Sequence, residues 1–508
     1  MKKNTKIVIV FLLIVVGLRV CLSNNKKKDK AILKTSSTVV PVTISTNFNN
    51  PLPVHPNVFG VNIGFAFARE LDKDSGFVQL LREMRPVSLR FPGGTVANWY
   101  HPHLPVYGYK ANEIISSLGG LYALQSKRSE NILYNFIRLC KQVNCGAVYC
   151  ANLLNGTTEE ILFVINELKK NNIPIYGVEL GNEFCLLPYR EKYFTTEQVY
   201  IDKIRKTASV IREKYPDLKL AVVAGEIVPD TEKGQRATFM RQWNKGLSKE
   251  NFYEAYVYHY YAACSDCDKD AYFDNIYTRN LSSLAPFQTN KLMDIGTQYL
   301  KFYGKEKKLW LTEWNISNGE YLDNTFTQAA FVSENFLNMI ALNTQYNNYF
   351  ELSNLHVMDG LINNFKGKQK PVFPKGNNYA TVQYFAFKFL ASTLTKDTYR
   401  GNVNIMCMDN AVLKNFVCNA FVNDKEKTIF LHFINRSGHK IQLTLDAKRS
   451  NYTLNAIEAD VPYATAGKTT YEKKYPNKIK PVRLREEKID GNIISIAPYS
   501  FGYISYAN

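Results

Sequence analysis

The chain has no P-loop, no G-x-G-x-x-G opening a helix after a strand, no H-E-x-x-H and no G-x-S-x-G. Phosphate-cradling NTPases, dinucleotide-binding oxidoreductases, metalloproteases of the H-E-x-x-H type and nucleophile-elbow hydrolases all lose their sequence signature here. Long apolar runs are also lacking. The one that stands out, Ile7–Leu18, is shorter than the roughly 20 residues needed to span a bilayer. Lys2, Lys3 and Lys6 precede it, and Cys21 and Ser23 supply small residues at a cleavage point. Residues 1–23 therefore read as an export signal and 24–36 as a basic linker, which places the mature chain outside the cell, in a periplasm or on a cell surface. A retained N-terminal anchor is the alternative. A lipid on Cys21 is another, though Arg19 and Val20 suit lipoprotein processing poorly. Zinc-finger spacing is missing too. Cys264-x-x-Cys267 has no second pair and no His partner, so it reads as a loop disulfide or free thiols, and no metal site is expected.

What is present is a long, aromatic-rich chain. Its 508 residues are 45% hydrophobic and 13% aromatic, ample for a large core and two domains. The net charge of +18 is concentrated at the ends: nine Lys/Arg against one Asp in residues 1–34, and 17 basic against 11 acidic side chains in residues 396–508. A nucleic-acid groove through the middle is not expected from that distribution. The basic run Lys468–Arg485 reads as a solvated loop or as a surface for an acidic polymer.

From residue 58 to about 395, strand-like runs alternate with amphipathic segments. The strand candidates are 58–64, 87–91, 146–152, 176–180, 218–225, 253–259, 309–312 and 348–354. Helical spacing runs through 131–143, 158–170, 196–215, 290–303, 327–346 and 378–393. Eight such units in about 340 residues have the count and size of a (β/α)8 barrel over residues 51–395, with an open doubly wound sheet as the alternative. After residue 396 the pattern becomes short strands with turns, among them 411–421, 428–435, 441–445, 452–459 and 492–507, as expected of a β-sandwich over 396–508. The strand-like 37–50 segment is expected to join that sandwich.

Two apolar runs end on a carboxylate: VELGNEF (178–184) on Glu183 and LWLTEWN (309–315) on Glu313. A carboxylate at the end of a buried strand is costly unless its charge or proton is used. In a barrel these two would flank one mouth, the apparatus for cleaving a glycosidic bond with retention: one residue protonates, the other attacks. Asn182 is placed to bond the sugar hydroxyl beside the anomeric carbon. Arg90 ends the second strand candidate before Pro92-Gly93-Gly94 and is read either as holding a catalytic carboxylate ionised or as part of a structural ion pair. His259 and Tyr261 end the sixth strand; the Tyr is suited to bonding the nucleophile, and the His to orienting a glutamate or to core packing. Asn98, Trp99, Asn152 and Trp314 are candidate sugar contacts, packing being the alternative for the tryptophans. Glu179 and Glu351 are rival carboxylates: Glu179 is read as facing the other side of its strand from Leu180 or as held in a salt bridge, and Glu351 as lying inside its strand.

At these residues the chain resembles glycoside hydrolase clan A. LGNE (180–183) is similar to that clan's acid/base motif, TEWN (312–315) to its nucleophile motif, and HYY (259–261) to its strand-six signature. RFPGG (90–94) and ANLLNGTTEE (151–160) look most like the family-51 α-L-arabinofuranosidases. The resemblance implies acid/base work for Glu183, nucleophilic attack by Glu313, a carbohydrate substrate and no cofactor. It departs in one place: family-51 enzymes carry a glutamate soon after strand one, whereas VFGVNIGFAF (58–67) has none, with Asn62 the nearest polar group. A β-glucuronidase, heparanase-like or β-xylosidase-like activity therefore stands beside the arabinofuranosidase expectation, with a non-catalytic glycan-binding protein as the rival from another class. Oligomeric state is not legible.

Overall fold

The computed structural model describes residues 36–63, 69–113, 119–262, 294–316, 324–346, 348–356, 361–364, 371–446, 451–462, 464–467 and 481–508. The N-terminal signal, Cys264 and Cys267, the start of the 290–303 helix and residues 468–480 of the basic run lie outside them. Among the described residues no helix is long and apolar enough to cross a membrane.

The chain begins with β1 (Ser36–Pro53) and then builds eight parallel strands: β2 (Gly60–Asn62), β3 (Ser88–Phe91), β4 (Gly146–Cys150), β5 (Ile175–Leu180), β6 (Leu220–Val223), β7 (Ala255–Ala262), β8 (Lys308–Ile316) and β9 (Phe350–His356). They pair in chain order and β9 returns to β2, closing a barrel. Each of the eight strand candidates overlaps one barrel strand, and closure excludes the open sheet. Alternation along the strands divides two cores. Val148, Ala221, Ala255, Val257, Trp310 and Leu352 fill the barrel, while the outward side chains pack with the helices. Trp310 takes much of the interior because β5 offers no side chain opposite it. A Cβ on Gly177 would lie 2.0 Å from the Trp310 ring. Gly177→Ala is therefore expected to cost about 1–3 kcal/mol by overpacking, read as a lowered urea midpoint.

The helices begin where local chemistry satisfies their first N–H groups. Thr157 and Glu160 form a reciprocal capping box at Thr158–Lys170, and Asn131 and Thr196 cap Ile132–Val143 and Glu197–Lys214. Three sequence expectations are corrected. The 378–393 helix starts only at Val382; Asn378–Ala380 is a strand paired with Ile362–Asn364, and the Thr381 hydroxyl caps the helix. In 411–421 the first half is a helix, Asn410–Asn415, because Asp409 accepts from the Ala411 and Val412 N–H groups. Helices Ser75–Met84 and Gln235–Leu247 had no counterpart in the sequence reading; the second starts at Gly234, which has no capping side chain.

After β9 the chain adds β10 (Ile362–Asn364), β11 (Pro374–Lys375) and β12 (Asn378–Ala380) as a small separate sheet. It continues with β13 (Thr398–Met406), β14 (Phe416–Asn423), β15 (Thr428–Asn435), β16 (His439–Leu445), β17 (Asn451–Glu458), β18 (Arg483–Asp490), β19 (Ile493–Ile496) and β20 (Ser500–Ala507). One ladder of nine strands runs β18-β17-β20-β15-β14-β13-β1-β16-β19. Side chains from both halves of that order, such as Leu454 of β17 and Ile494 of β19, share one apolar core, so the sheet folds over on itself. β1 pairs antiparallel with β13 and parallel with β16, tying residues before the barrel to those after it. Arg483 and Arg485, at the end of the basic run, are paired with Asp460, Glu458 and Glu487. A buried ion pair, Arg436 with Glu334 of helix Phe326–Gln345, joins sheet to barrel.

Candidate active site

β5 ends at Leu180, and the chain turns sharply through Gly181, Asn182 and Glu183. Gly181 has φ 102°, and a Cβ there would stand 1.9 Å from the Phe184 ring. Glu183 itself is left-handed, φ 54°, a conformation that costs a carboxylate residue on the order of 1–3 kcal/mol unless its surroundings impose it. Asn98 helps impose it. Its amide accepts from the Asn182 N–H at 3.2 Å and donates to the Asn182 carbonyl at 2.9 Å, clamping the residue before Glu183 from both sides.

Glu313 comes from the opposite side of the barrel. β8 does not stop there but continues to Ile316, with the ladder to β9 shifting register between Leu311 and Trp314. Glu313 Oε1 accepts from Arg90 Nη1 at 2.5 Å, and Oε2 accepts from the Tyr261 hydroxyl at 2.7 Å. Arg90 is fully buried and divides its fork. Nε and Nη2 hold Glu179, at distances from 2.6 to 3.1 Å, and Nη2 also donates to Asn182 Oδ1 at 2.9 Å. Both sequence readings of Arg90 are thus present in one side chain.

His259 stands between the two carboxylates. Its Nδ1 lies 2.9 Å from Glu183 Oε1 and 3.8 Å from Glu313 Oε2, and its Nε2 is 3.3 Å from the Thr312 hydroxyl. One ligating atom each from Glu183, His259 and Glu313 all fall within 4.8 Å of one another; among the described residues these three form the one group of His, Cys, Asp and Glu able to hold a metal ion. Arg90 and Tyr261 already occupy both oxygens of Glu313.

The environments of the carboxylates differ. The Glu183 side chain is 28% exposed and that of Glu313 7%. Burial works against the Glu313 anion, but His259, Arg90, His356 and the Tyr261 hydroxyl together outweigh it and hold its carboxyl well below the usual carboxylate range. Burial likewise opposes a charged His259, yet Glu313 and Glu183 raise its pKa above that of a free imidazole. Tyr261 is pushed far up by burial and by Glu313, so its hydroxyl remains a donor.

Glu183, Glu313, Asn182, Arg90, Asn98, His259 and Tyr261 thus converge on one mouth. Two sequence candidates do not face it. Trp314 follows Glu313 and so points outward; it is fully buried, donates to the Ser353 hydroxyl at 2.7 Å and packs edge-on against Phe336. Asn152 is spent on its own loop, donating to the Tyr100 carbonyl and to Asn155 Oδ1 while accepting from the Leu154 and Asn155 N–H groups. Asn98 is at the site but holds backbone, and both ends of its amide are taken. Trp99 is buried, edge-on to Tyr193. Glu351 sits elsewhere, bonded to Trp310 Nε1 and paired with Lys219.

The salt-bridge reading of Glu179 holds, with Arg90 as its partner; sequence reasoning missed His356. His356 ends β9 in no recognised motif, and Gly94 leaves room beside Glu313 Oε1, which a Cβ would approach to 3.4 Å.

No family model matches this sequence, and no curated protein is similar enough to it to count as a relative. Solved structures do match. The GH51 arabinofuranosidase from Xanthomonas axonopodis pv. citri aligns with a TM-score of 0.63 over 92% of this chain and 100% of its own, at 13% identity. The α-L-arabinofuranosidase from Thermotoga maritima, solved as an arabinose complex, gives 0.60 over 92% and 100%, at 14% identity. The fold is that of the GH51 arabinofuranosidases. A glucosidase from Croceicoccus marinus shares it less closely, with a TM-score of 0.55 and 10% identity over 93% and 100%. At these identities the likeness is one of architecture: a closed barrel followed by a β-domain.

Proposed function

We propose that the protein is a glycoside hydrolase acting with retention, and that Glu183 is its acid/base and Glu313 its nucleophile. The observation that carries this reading is the pair of carboxylates brought within 4.8 Å from opposite strands, one partly exposed and one enclosed by Arg90 and Tyr261. Retaining enzymes keep their carboxyl groups about 5–5.5 Å apart, whereas inverting ones need roughly 6.5–9.5 Å for a water. Glu313, ionised, attacks the anomeric carbon and forms a glycosyl ester as Glu183 passes a proton to the departing oxygen. Glu183 then takes a proton from water, which attacks the same carbon and frees the sugar. A furanosidase specificity of the arabinofuranoside kind is the starting proposal, given the folds this chain resembles. Action on glycans outside the producing cell is proposed from the N-terminal signal.

Removing the acid leaves the nucleophile intact. Glu183→Ala should therefore cleave aryl glycosides with good leaving groups to the ester and stall, and azide should restore turnover as a glycosyl azide. Absence of that product with Glu183→Ala would remove Glu183 from its role. His259, within hydrogen-bond distance of Glu183, binds its proton more tightly than a free imidazole does. That proton is lost only as pH rises through the raised value. The alkaline limb of kcat/KM is expected above pH 6.5, where a free imidazole titrates, and His259→Asn, which has no proton to lose there, should abolish that limb.

A further inference from the structure

Six cysteines among the described residues are free thiols, and two of them meet. Cys140 lies in the last turn of helix Ile132–Val143, and Cys145 directly precedes β4. Between them Asn144 is left-handed, φ 61°, and donates its N–H to the Cys140 carbonyl. The Cys145 N–H donates to that same carbonyl at 3.2 Å. A helix that ends this way folds the residue after the left-handed one back onto its last turn, where the two side chains in contact are ordinarily apolar. Here both positions are cysteine. Cys140 is 1% exposed and Cys145 6%, and the thiols are close enough to hydrogen-bond. Cys150 and Cys185, by contrast, give their S–H groups to the Gly181 and Ala224 carbonyls.

We infer that Cys140 and Cys145 are a disulfide-forming site that reacts with a small disulfide oxidant such as oxidised glutathione, and that the bond staples the helix end to the start of β4. A disulfide bridges only residues whose backbones are already near, and the two backbone bonds to the Cys140 carbonyl impose that nearness. One thiolate attacks the glutathione disulfide and releases one glutathione thiol; the other then attacks the mixed disulfide and releases the second. Two S–H groups become one S–S bond, and their two protons and two electrons end in two glutathione thiols. Burial and the Cys145 neighbour raise the Cys140 thiol well above its ordinary range, so the reaction runs when the helix end opens or as the chain folds. The export proposed above would place the chain among such oxidants. Gly146 bonds the Val87 carbonyl and Ala147 the Pro174 carbonyl, so the staple sits where the strands begin, at the opposite ends from Glu183 and Glu313. Its effect is on stability, through the loop it closes in the unfolded chain.

Trypsin cuts after Lys141, so Cys140 and Cys145 fall on separate peptides unless they are bonded. The full chain, purified in reductant, is incubated with oxidised glutathione in urea just below its unfolding transition, then alkylated, digested and mapped by mass spectrometry. The peptide of residues 139–141 should be found joined to that of residues 142–169, with fragment ions placing the bond at Cys145 and not at Cys150. The oxidised protein should unfold at higher urea than the reduced one, and Cys145→Ala should lose that shift. Each protein is compared with itself in the two buffers, so a variant that is less stable overall still reports. If Cys145→Ala fails to fold, the wild-type peptide map decides alone. Cys140 and Cys145 alkylated on separate peptides after this treatment would overturn the inference. So would a bond from Cys140 to any other cysteine, or a urea shift that Cys145→Ala keeps in full.

Discussion

Glu313→Gln is expected to lower kcat by about 10⁴-fold or more while the fold stays intact, on the scale of losing a nucleophile from a set of groups that act together. The amide keeps the shape of the carboxylate but cannot form the glycosyl ester. Arg90 remains paired with Glu179 and bonded to Asn182, so the substitution leaves no isolated buried charge. Melting temperature should therefore change little, and the difference from wild type should appear in turnover alone. The pH behaviour of the wild type follows from the same contacts. Because the Glu313 pKa is held below its ordinary value, the stability its anion contributes is fully present above about pH 4.5 and is lost as pH falls through the lowered value. The nucleophile should thus stay ionised through mildly acidic pH, where an ordinary glutamate begins to protonate.

Arg90→Leu is expected to have the largest effect on stability, about 3–5 kcal/mol, because it removes the cation shared by two buried carboxylates. Glu179 would lose its bidentate partner and Glu313 one of its two donors. Arg90→Lys should recover little of this. A single ammonium cannot reproduce the planar fork that reaches Glu179, Glu313 and Asn182 at once. Urea denaturation measures the loss, and the surviving activity should show its acid limb displaced to higher pH, since Glu313 no longer has a guanidinium holding its proton affinity down. An unchanged acid limb would mean that Arg90 serves the fold and not the nucleophile.

The barrel was legible because its strands are buried on both faces and read as apolar runs, and because the intervening helices carry period and caps together, as at Thr157–Lys170. The elements that were misread have weaker or borrowed signals. Gln235–Leu247 begins without a capping side chain, and the strand-like composition of 411–421 conceals a helix turn set by one aspartate outside that stretch. At the site, Glu183, Glu313 and Arg90 could be found because charge at the end of an apolar strand is conspicuous. Trp314 was misplaced because the register shift in β8 lies between Leu311 and Trp314, and which of two adjacent residues faces inward depends on it. Asn98 and Asn152 show a further limit. An asparagine offers the same groups to a sugar as to a backbone, and only tertiary structure reveals which one takes them.

The central claim is that two carboxylates share one sugar, Glu313 attacking it and Glu183 serving the proton transfers, at the short separation of retaining enzymes. The stereochemistry of the first product tests it most directly. With the best aryl glycoside as substrate, proton NMR followed from the first seconds should show the sugar released in the substrate's own anomeric configuration, before mutarotation mixes the two forms. First appearance of the opposite anomer would contradict the account, since inversion calls for a base carboxylate set farther back, with the attacking water held against the anomeric carbon.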